Sequence, residues 1–335
     1  MGLRLFDNRR IWKFAVPAFI LIASFAWPIV HEDSFLLNVA INLFFYIFLG
    51  FGMHLIFGTI GLPFLGYAGF FAIGAYVTAI LTTRGVSFWI SLILAVCATC
   101  LLALFFGSAL LKLRGDYFML GSLSLGEIIH LTVNNLDITG GPNGIVGIPR
   151  PQLFNMSLNQ PIHFYYLLLL LIVVSFVFLT YLMRSSIGRS WLAVKEDELA
   201  SEAIGISTYR VKLQVFVLGS IWAGVAGAIF AARLGVVSPG SFTLMNSIQM
   251  LGIVIVGGMG SITGVILGAF LMIGLPEIIR FLADWRLVSF GIAIMLVLRF
   301  RPQGIWPSSP WIIPLPAIER IKPLTSFMKS KGPTD

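Results

Sequence analysis

Charged side chains are scarce in this chain. Lys and Arg number 22 and Asp and Glu 14 in 335 residues, 11% in all, where a soluble domain carries about 25%. That deficit excludes an ordinary soluble fold. Catalytic signatures are missing as well. There is no Gly-x-x-x-x-Gly-Lys-Ser/Thr loop to cradle phosphates and no His-Glu-x-x-His, and only four His are available for a Ser/His/Asp arrangement. The chain is therefore read as neither an enzyme nor a nucleotide binder of that kind. Its two cysteines, Cys97 and Cys100, have a redox-like Cys-x-x-Cys spacing. They lie inside an apolar run with no strand–helix–strand context, so they read as small residues on a membrane helix.

What the chain has in abundance is apolar sequence, 58% of it, including 29 Phe. The runs are too long and too free of alternation for barrel strands, which would be segments of about 10 residues. An all-α integral membrane bundle is expected. At roughly 20 apolar residues per crossing, the candidate spans are Phe14–Val30, Phe35–Phe57, Leu62–Thr82, Phe88–Leu111, Tyr117–Leu136, Ile162–Met183, Leu213–Ala232, Ser247–Gly258, Ile262–Leu282 and Arg286–Leu298. The eighth and tenth are short, so the count is eight to ten. Arg4, Arg9, Arg10 and Lys13 before the first span resemble a signal sequence, but Trp27-Pro28-Ile29-Val30 offers no small-residue cleavage site, so the segment reads as an uncleaved span. With both termini in the cytoplasm, residues 1–13, 112–116, 184–212 and 299–335 face inward and carry 17 of the 22 Lys/Arg, the bias expected of cytoplasmic loops. Residues 1–307 form the expected membrane domain, and 308–335 a flexible cytoplasmic tail.

The longest inward interruption, residues 184–212, holds Arg184, Arg189, Lys195, Arg210 and Lys212 with Glu196, Asp197, Glu198 and Glu202. So much charge belongs in water. Leu192, Leu199, Ala203 and Ile206 share one face of a predicted helix, and Gly205 suits its stop. That apolar stripe needs cover, and the carboxylates disfavour an anionic membrane surface. Its own bundle or a partner groove remain.

Polar residues inside spans are few. Ser124, Glu127, His130 and Asn134 fall on one helical stripe. Two readings stay open: the stripe lines a hydrated pathway, or it hydrogen-bonds a neighbouring helix. Asn38, Asn42 and Gln249 carry the same two readings. Glu277 and Arg280 read as a structural i, i+3 pair. Glycine is dense around Gly61, Gly66 and Gly74, and again at Gly257, Gly258, Gly260, Gly264 and Gly268, small-residue registers that let helix backbones approach closely. Gly58/Gly61/Gly69 align with Gly257/Gly260/Gly268, as interrupted segments of two structural repeats would. Thr139-Gly140-Gly141-Pro142-Asn143-Gly144, in the longest outer loop, reads as turns.

These blocks together resemble the membrane permeases of branched-chain amino acid ABC importers, of the LivM type. The resemblance spans most of residues 35–307 and is carried by Gly61-Leu62-Pro63-Phe64-Leu65-Gly66 through Gly74-Ala75-Tyr76, Leu113-Arg114-Gly115-Asp116-Tyr117-Phe118, Gly126-Glu127-Ile128-Ile129, the Thr139–Gly144 loop, Ile187-Gly188-Arg189, Glu196-Asp197-Glu198, Glu202-Ala203-Ile204-Gly205, Gly257-Gly258-Met259-Gly260-Ser261 and Arg301-Pro302-Gln303-Gly304. It implies a type II importer-like permease in a bacterial inner membrane, paired with a second permease of the LivH type. Two cytoplasmic ATPases would bind the ATP, and a periplasmic binding protein would deliver substrate. Glu198, Glu202, Ala203, Ile204 and Gly205 would then dock on an ATPase. The broader permease signature, Glu-Ala-Ala with a glycine three positions on and a later Ile-x-Leu-Pro, is only partly matched, because Gly205 follows Ile204 directly. A permease for urea or short amides, and a proton-coupled carrier using Glu127 and His130, are the alternatives.

Overall fold

The computed structural model describes residues 34–113, 115–153, 156–157, 160–279, 285–301 and 303–306. The expected first span Phe14–Val30, the tail 308–335 and Arg280 lie outside the described residues.

Long apolar runs without internal proline become the long helices: α1 (Ser34–Met53, prolonged by a π turn at His54–Gly58), α3 (Phe88–Leu110), α5 (Pro161–Arg184) and α8 (Thr208–Leu234). Shorter or more polar runs give α2 (Tyr67–Thr83), α4 (Asp116–Asn135), α6 (Ser186–Glu196), α7 (Glu198–Ala203), α9 (Leu244–Gly257), α10 (Ile262–Ala269), α11 (Leu275–Ile278) and α12 (Arg286–Phe300). A second π turn, Phe270–Gly274, joins α10 to α11. Among the described residues five stretches are long and apolar enough to cross a membrane: Phe35–Gly58, Phe88–Leu110, Pro161–Arg184, Thr208–Leu234 and Pro239–Gly257. Tyr67–Thr83, Ile262–Ile278 and Leu287–Phe300 are shorter apolar helices.

Burial separates an inner from an outer layer. Over their most apolar windows α1 and α8 are 72% buried, but α3 and α5 only 28%. The outer helices turn side chains such as Ile93, Leu101, Phe105, Leu170 and Val177 outward, as helices bathed in lipid do. The inner layer depends on small residues. A Cβ on Gly74 of α2 would sit 2.1 Å from the Gly224 carbonyl of α8, and one on Gly227 would sit 2.2 Å from the Phe71 carbonyl. The two backbones therefore touch, and α2–α8 is the most extensive helix contact. Some hydroxyls in the bundle return to their own helix, Thr78 to the Gly74 carbonyl at 2.9 Å and Thr99 to Ala95 at 2.7 Å, which satisfies those donors in an apolar setting.

At one end of the bundle, β1 (Ile145–Val146) pairs antiparallel with a strand from the far half of the chain, Val236–Val237. The glycine-rich loop before it folds as two single 3₁₀ turns, Asp137–Thr139 and Gly141–Asn143. Thr139 donates to the Leu136 carbonyl at 2.7 Å, closing the end of α4. The opposite end carries α6 and α7.

Three expectations are corrected. The third span, expected from Leu62, starts as helix only at Tyr67, because Gly61 is left-handed (φ 82°) and Pro63 has no N–H to donate. The ninth, expected as one helix to Leu282, runs through the π turn without a break, but it ends at Ile278, where Ile279 turns extended (φ −93°, ψ 99°). The amphipathic face of 184–212 is not continuous. Asp197 is extended (φ −156°, ψ 113°) and starts a new helix by accepting the Ala200 N–H at 3.0 Å, a strong N-cap preference overriding the apolar period.

Candidate functional site

The seam between α1 and α2 sets up the first part of the site. After the π turn the chain runs irregularly through Gly61-Leu62-Pro63-Phe64-Leu65-Gly66; Gly61 and Leu62 still donate to Phe57 O and Ile56 O at 2.9 and 3.4 Å, but Leu65 is beyond the helix's reach. Leu65 donates its N–H to Ser122 Oγ on α4 at 3.1 Å, and Ala68 donates to Ser247 Oγ on α9 at 2.9 Å. Gly66 stands at the N-cap of α2 and has no side chain to cap with, so Ser247 supplies that cap from another helix. Ser122 also donates to Met119 O at 2.8 Å. Gly66 has room for no more than hydrogen: a Cβ there would meet the Ser122 carbonyl at 2.3 Å.

Irregular backbone at membrane depth is tolerated where protein buries it or where it borders a cavity, and here both apply. Leu65, Ala68, Gly69, Leu123, Gly126, Glu127 and Ser247 border a cleft with about 10 Å³ of free volume, room for about one water. The cleft is closed to an amino acid in this conformation. Glu127 stands exposed at its rim, with no hydrogen-bond partner among the described residues.

The buried face of α4 is Phe118, Ser122, Leu125, Ile129 and Val133. The stripe Ser124, Glu127, His130 and Asn134 lies across the helix from it, away from the chain's own core. Ser124 and Glu127 are exposed, His130 and Asn134 half-buried. His130 Nδ1 is buried without a partner. Gln249 is buried on α9, two residues beyond Ser247. Asn42 belongs to a separate cluster: its amide donates to both Glu277 carboxylate oxygens at 3.2 and 3.0 Å, joining α1 to α11, and Arg233 of α8 lies within electrostatic range of that carboxylate. Glu277 thus pairs across the fold; the expected partner Arg280 lies outside the described residues.

The glycines divide into two kinds. Gly66, Gly74, Gly257 and Gly264 are close approaches; a Cβ on Gly257 would lie 2.2 Å from the Gly264 carbonyl. Gly61, Gly258 and Gly260 sit instead in the two breaks, and Gly61 and Gly260 share the left-handed conformation (φ 82° and 89°). The chain after α12 folds onto the second break. Ile305 and Trp306 donate their N–H groups to Val256 O and Gly257 O, both at 3.0 Å, and Gly304 approaches Gly258 so closely that a Cβ would be 2.2 Å from its Cα. Orphan carbonyls at the end of α9 are satisfied this way.

The second part of the site is the α6–α7 hairpin. Trp191 and Val194 of α6 are buried in the bundle. Lys195 Nζ donates to the Gly58 carbonyl at 2.8 Å; burial pushes this ammonium below the usual lysine range, with Glu196 pulling the other way. Two of the hairpin's carboxylates are paired within the chain: Glu198 with Lys212 at 2.5 Å, while Glu202 accepts from Thr208 Oγ1 at 2.5 Å. Gly205 ends the turn in the left-handed region (φ 85°). Ala203 is exposed, as are Leu199 (77%) and Ile204 (74%). Two large aliphatic side chains thus project from a polar hairpin whose Glu198 and Glu202 are already paired. Sequence reasoning missed Ser122, Ser247 and Lys195. Only the lysine carried a local signal, as a cation beside the acidic cluster.

Fold and site define a polytopic helical membrane protein of the transport class. The chain belongs to the family described as branched-chain amino acid transport system, permease component, whose model matches residues 35–298. It is 38% identical over 314 residues to the high-affinity branched-chain amino acid transport system permease protein LivM of Salmonella typhimurium, covering 86% of this chain and 73% of that one. The LivM protein of Escherichia coli is 38% identical over 313 residues with the same coverage. An autoinducer 2 import system permease, LsrC of Yersinia enterocolitica, is 29% identical over 264 residues, covering 68% of this chain and 70% of that one. No solved structure matches the chain.

Proposed function

We propose that this chain is the membrane permease subunit of an ATP-driven importer that carries branched-chain amino acids into a bacterial cytoplasm by alternating access. ATP is bound by separate subunits, and no cofactor is assigned to this chain. The observation that carries the reading is the α6–α7 hairpin. Glu198 and Glu202 are engaged internally while Leu199, Ala203 and Ile204 remain uncovered, which suits an apolar groove on an ATPase better than free solvent. Glu198, Glu202 and Gly205 shape the hairpin, and Ala203 and Ile204 contact the partner. The relatives' names supply the substrate class.

Two further features support the assembly. The stripe Ser124, Glu127, His130 and Asn134 faces away from the chain's own core, where a carboxylate in hydrocarbon would be costly. A second permease of the LivH type would meet that face, and the stripe, with Gln249 behind it, would line the path between the two. The hairpin and the ends of α1, α3 and α9 lie together on the side that the Lys/Arg bias assigns to the cytoplasm. The Thr139–Gly144 loop then faces the periplasm and its binding protein, in a type II importer with ten spans, both termini inside and the chain beyond Arg301 in the cytoplasm.

The decisive experiment is reconstitution in proteoliposomes. Co-isolated ATPases and leucine uptake that requires ATP are expected. Uptake by this chain alone, driven by a proton gradient, would overturn the proposal, and saturable urea uptake without leucine uptake would reassign the substrate.

A further inference from the structure

We infer that Lys195 is a positioning residue, tying the ATPase-docking hairpin to the broken core segment that closes the cleft beside Glu127. The inference rests on the proposal that α6–α7 docks an ATPase, and adds the route by which a push there reaches the bundle.

Three side chains within about one turn of α6 face inward: Trp191 and Val194 by packing, Lys195 by a polar contact. A lysine at the edge of a membrane protein normally extends its ammonium to water. This one does the opposite. Its half-buried stem carries Nζ to 2.8 Å from the Gly58 carbonyl, 137 residues away in sequence, although Glu196 is adjacent. Gly58 closes the π turn of α1, so the acceptor is a helix C-terminal carbonyl, where a cation is favoured by both the free lone pairs and the helix dipole. On the far side of Gly58 the π turn is stiff. Thr59 Oγ1 returns to the Leu55 carbonyl, and the buried His54 ring lies so close that a Cβ on Gly58 would meet it at 2.2 Å.

Two residues beyond Gly58 the helix gives way to the irregular segment, where Leu65 is held by Ser122 on α4, and Ala68 in the first turn of α2 is held by Ser247 on α9. Both serines stand at the cleft: Ser247 borders it, and Ser122 precedes its lining residue Leu123. Polar contacts therefore run from the hairpin to the end of α1, through the break, and out to the two helices that form the cleft's walls. An interior this densely packed shifts between discrete arrangements and does not deform smoothly. Displacing the Gly58 carbonyl would release or reset the two serine contacts together.

The test uses the whole complex in proteoliposomes, with ATP hydrolysis and leucine uptake measured on the same preparation. Lys195→Met keeps the aliphatic stem and removes the donor. Hydrolysis is expected to stay within about twofold of the parent while uptake per ATP falls about tenfold, the scale of a typical coupling energy. Lys195→Arg restores the donor and recovers most of the ratio. An unchanged ratio in Lys195→Met overturns the inference. So does a parallel fall of hydrolysis and uptake, the outcome expected of a lysine that merely anchors α6. A second measurement guards against poor assembly of that variant: Ser122→Ala, acting on the same route, must lower the same ratio, and in the double variant the two losses must not add. Additive losses overturn the inference. If the parent complex itself shows no ATP-dependent uptake, the importer assignment fails first, which separates the two failures.

Discussion

At Leu65 and Ala68 the backbone presents amide protons that no helix accepts, and the hydroxyls of Ser122 and Ser247 accept them inside the bundle. Neither serine has any exposed surface. Replacing either by Ala leaves an N–H in an apolar setting with nothing in its place, a loss of about 1–3 kcal/mol. Thermal unfolding in detergent should show it as a lower midpoint for Ser122→Ala and for Ser247→Ala, whereas Ser108→Ala, on the exposed side of α3, should leave the midpoint where it is. At the hairpin the consequence of a substitution is functional and not structural. Ala203 is exposed and bonds no side chain of its own chain, so Ala203→Arg should insert normally into the membrane. Planted in an ATPase groove, the guanidinium should abolish uptake while ATP hydrolysis continues; normal uptake would remove Ala203 from the docking surface.

Among the elements, the return of residues 303–306 onto the end of α9 invites a direct check. Gly304 combines φ 86° with an approach to Gly258 that admits no Cβ, so Gly304→Val should detach the strap. Amide exchange at Ile305 and Trp306, slowed by their bonds to Val256 and Gly257, should become fast; continued protection would mean the strap is held by something else. The long helices were legible from the sequence because apolar length alone decides them. The break before α2 was not. Leu62, Phe64 and Leu65 are as apolar as any helix, and hydropathy measures transfer into lipid, not where a backbone amide finds its acceptor. Gly61 and Pro63 were the only local cues. The hairpin was misread as one helical face because the spacing of Leu192, Leu199 and Ala203 outweighed a single capping residue, Asp197. Contacts across the sequence stayed invisible for a simpler reason. Asn42 and Glu277 are 235 residues apart, and no pattern in one sequence points to so distant a partner.

For the whole molecule, the two ends of the bundle are held in different ways. The hairpin itself is joined to the bundle by side chains: Lys195 to Gly58, Tyr209 to the Ser108 carbonyl at 3.3 Å, Lys212 to Glu198. Each of these can be exchanged for water or for a partner's groups. The opposite end is joined by main chain, with Ile145–Val146 laddered to Val236–Val237 and Gly144 so close to Val237 that a Cβ would lie 2.0 Å from its carbonyl. That junction leaves no room for a side chain and would serve as a fulcrum. Helix α8 leaves it and runs 27 residues, about 40 Å at the usual rise, before reaching the hairpin. A tilt of a few degrees too small to disturb the ladder becomes a displacement of ångströms at the far end, so the molecule is built as a lever whose long arm ends where a motor would grip it.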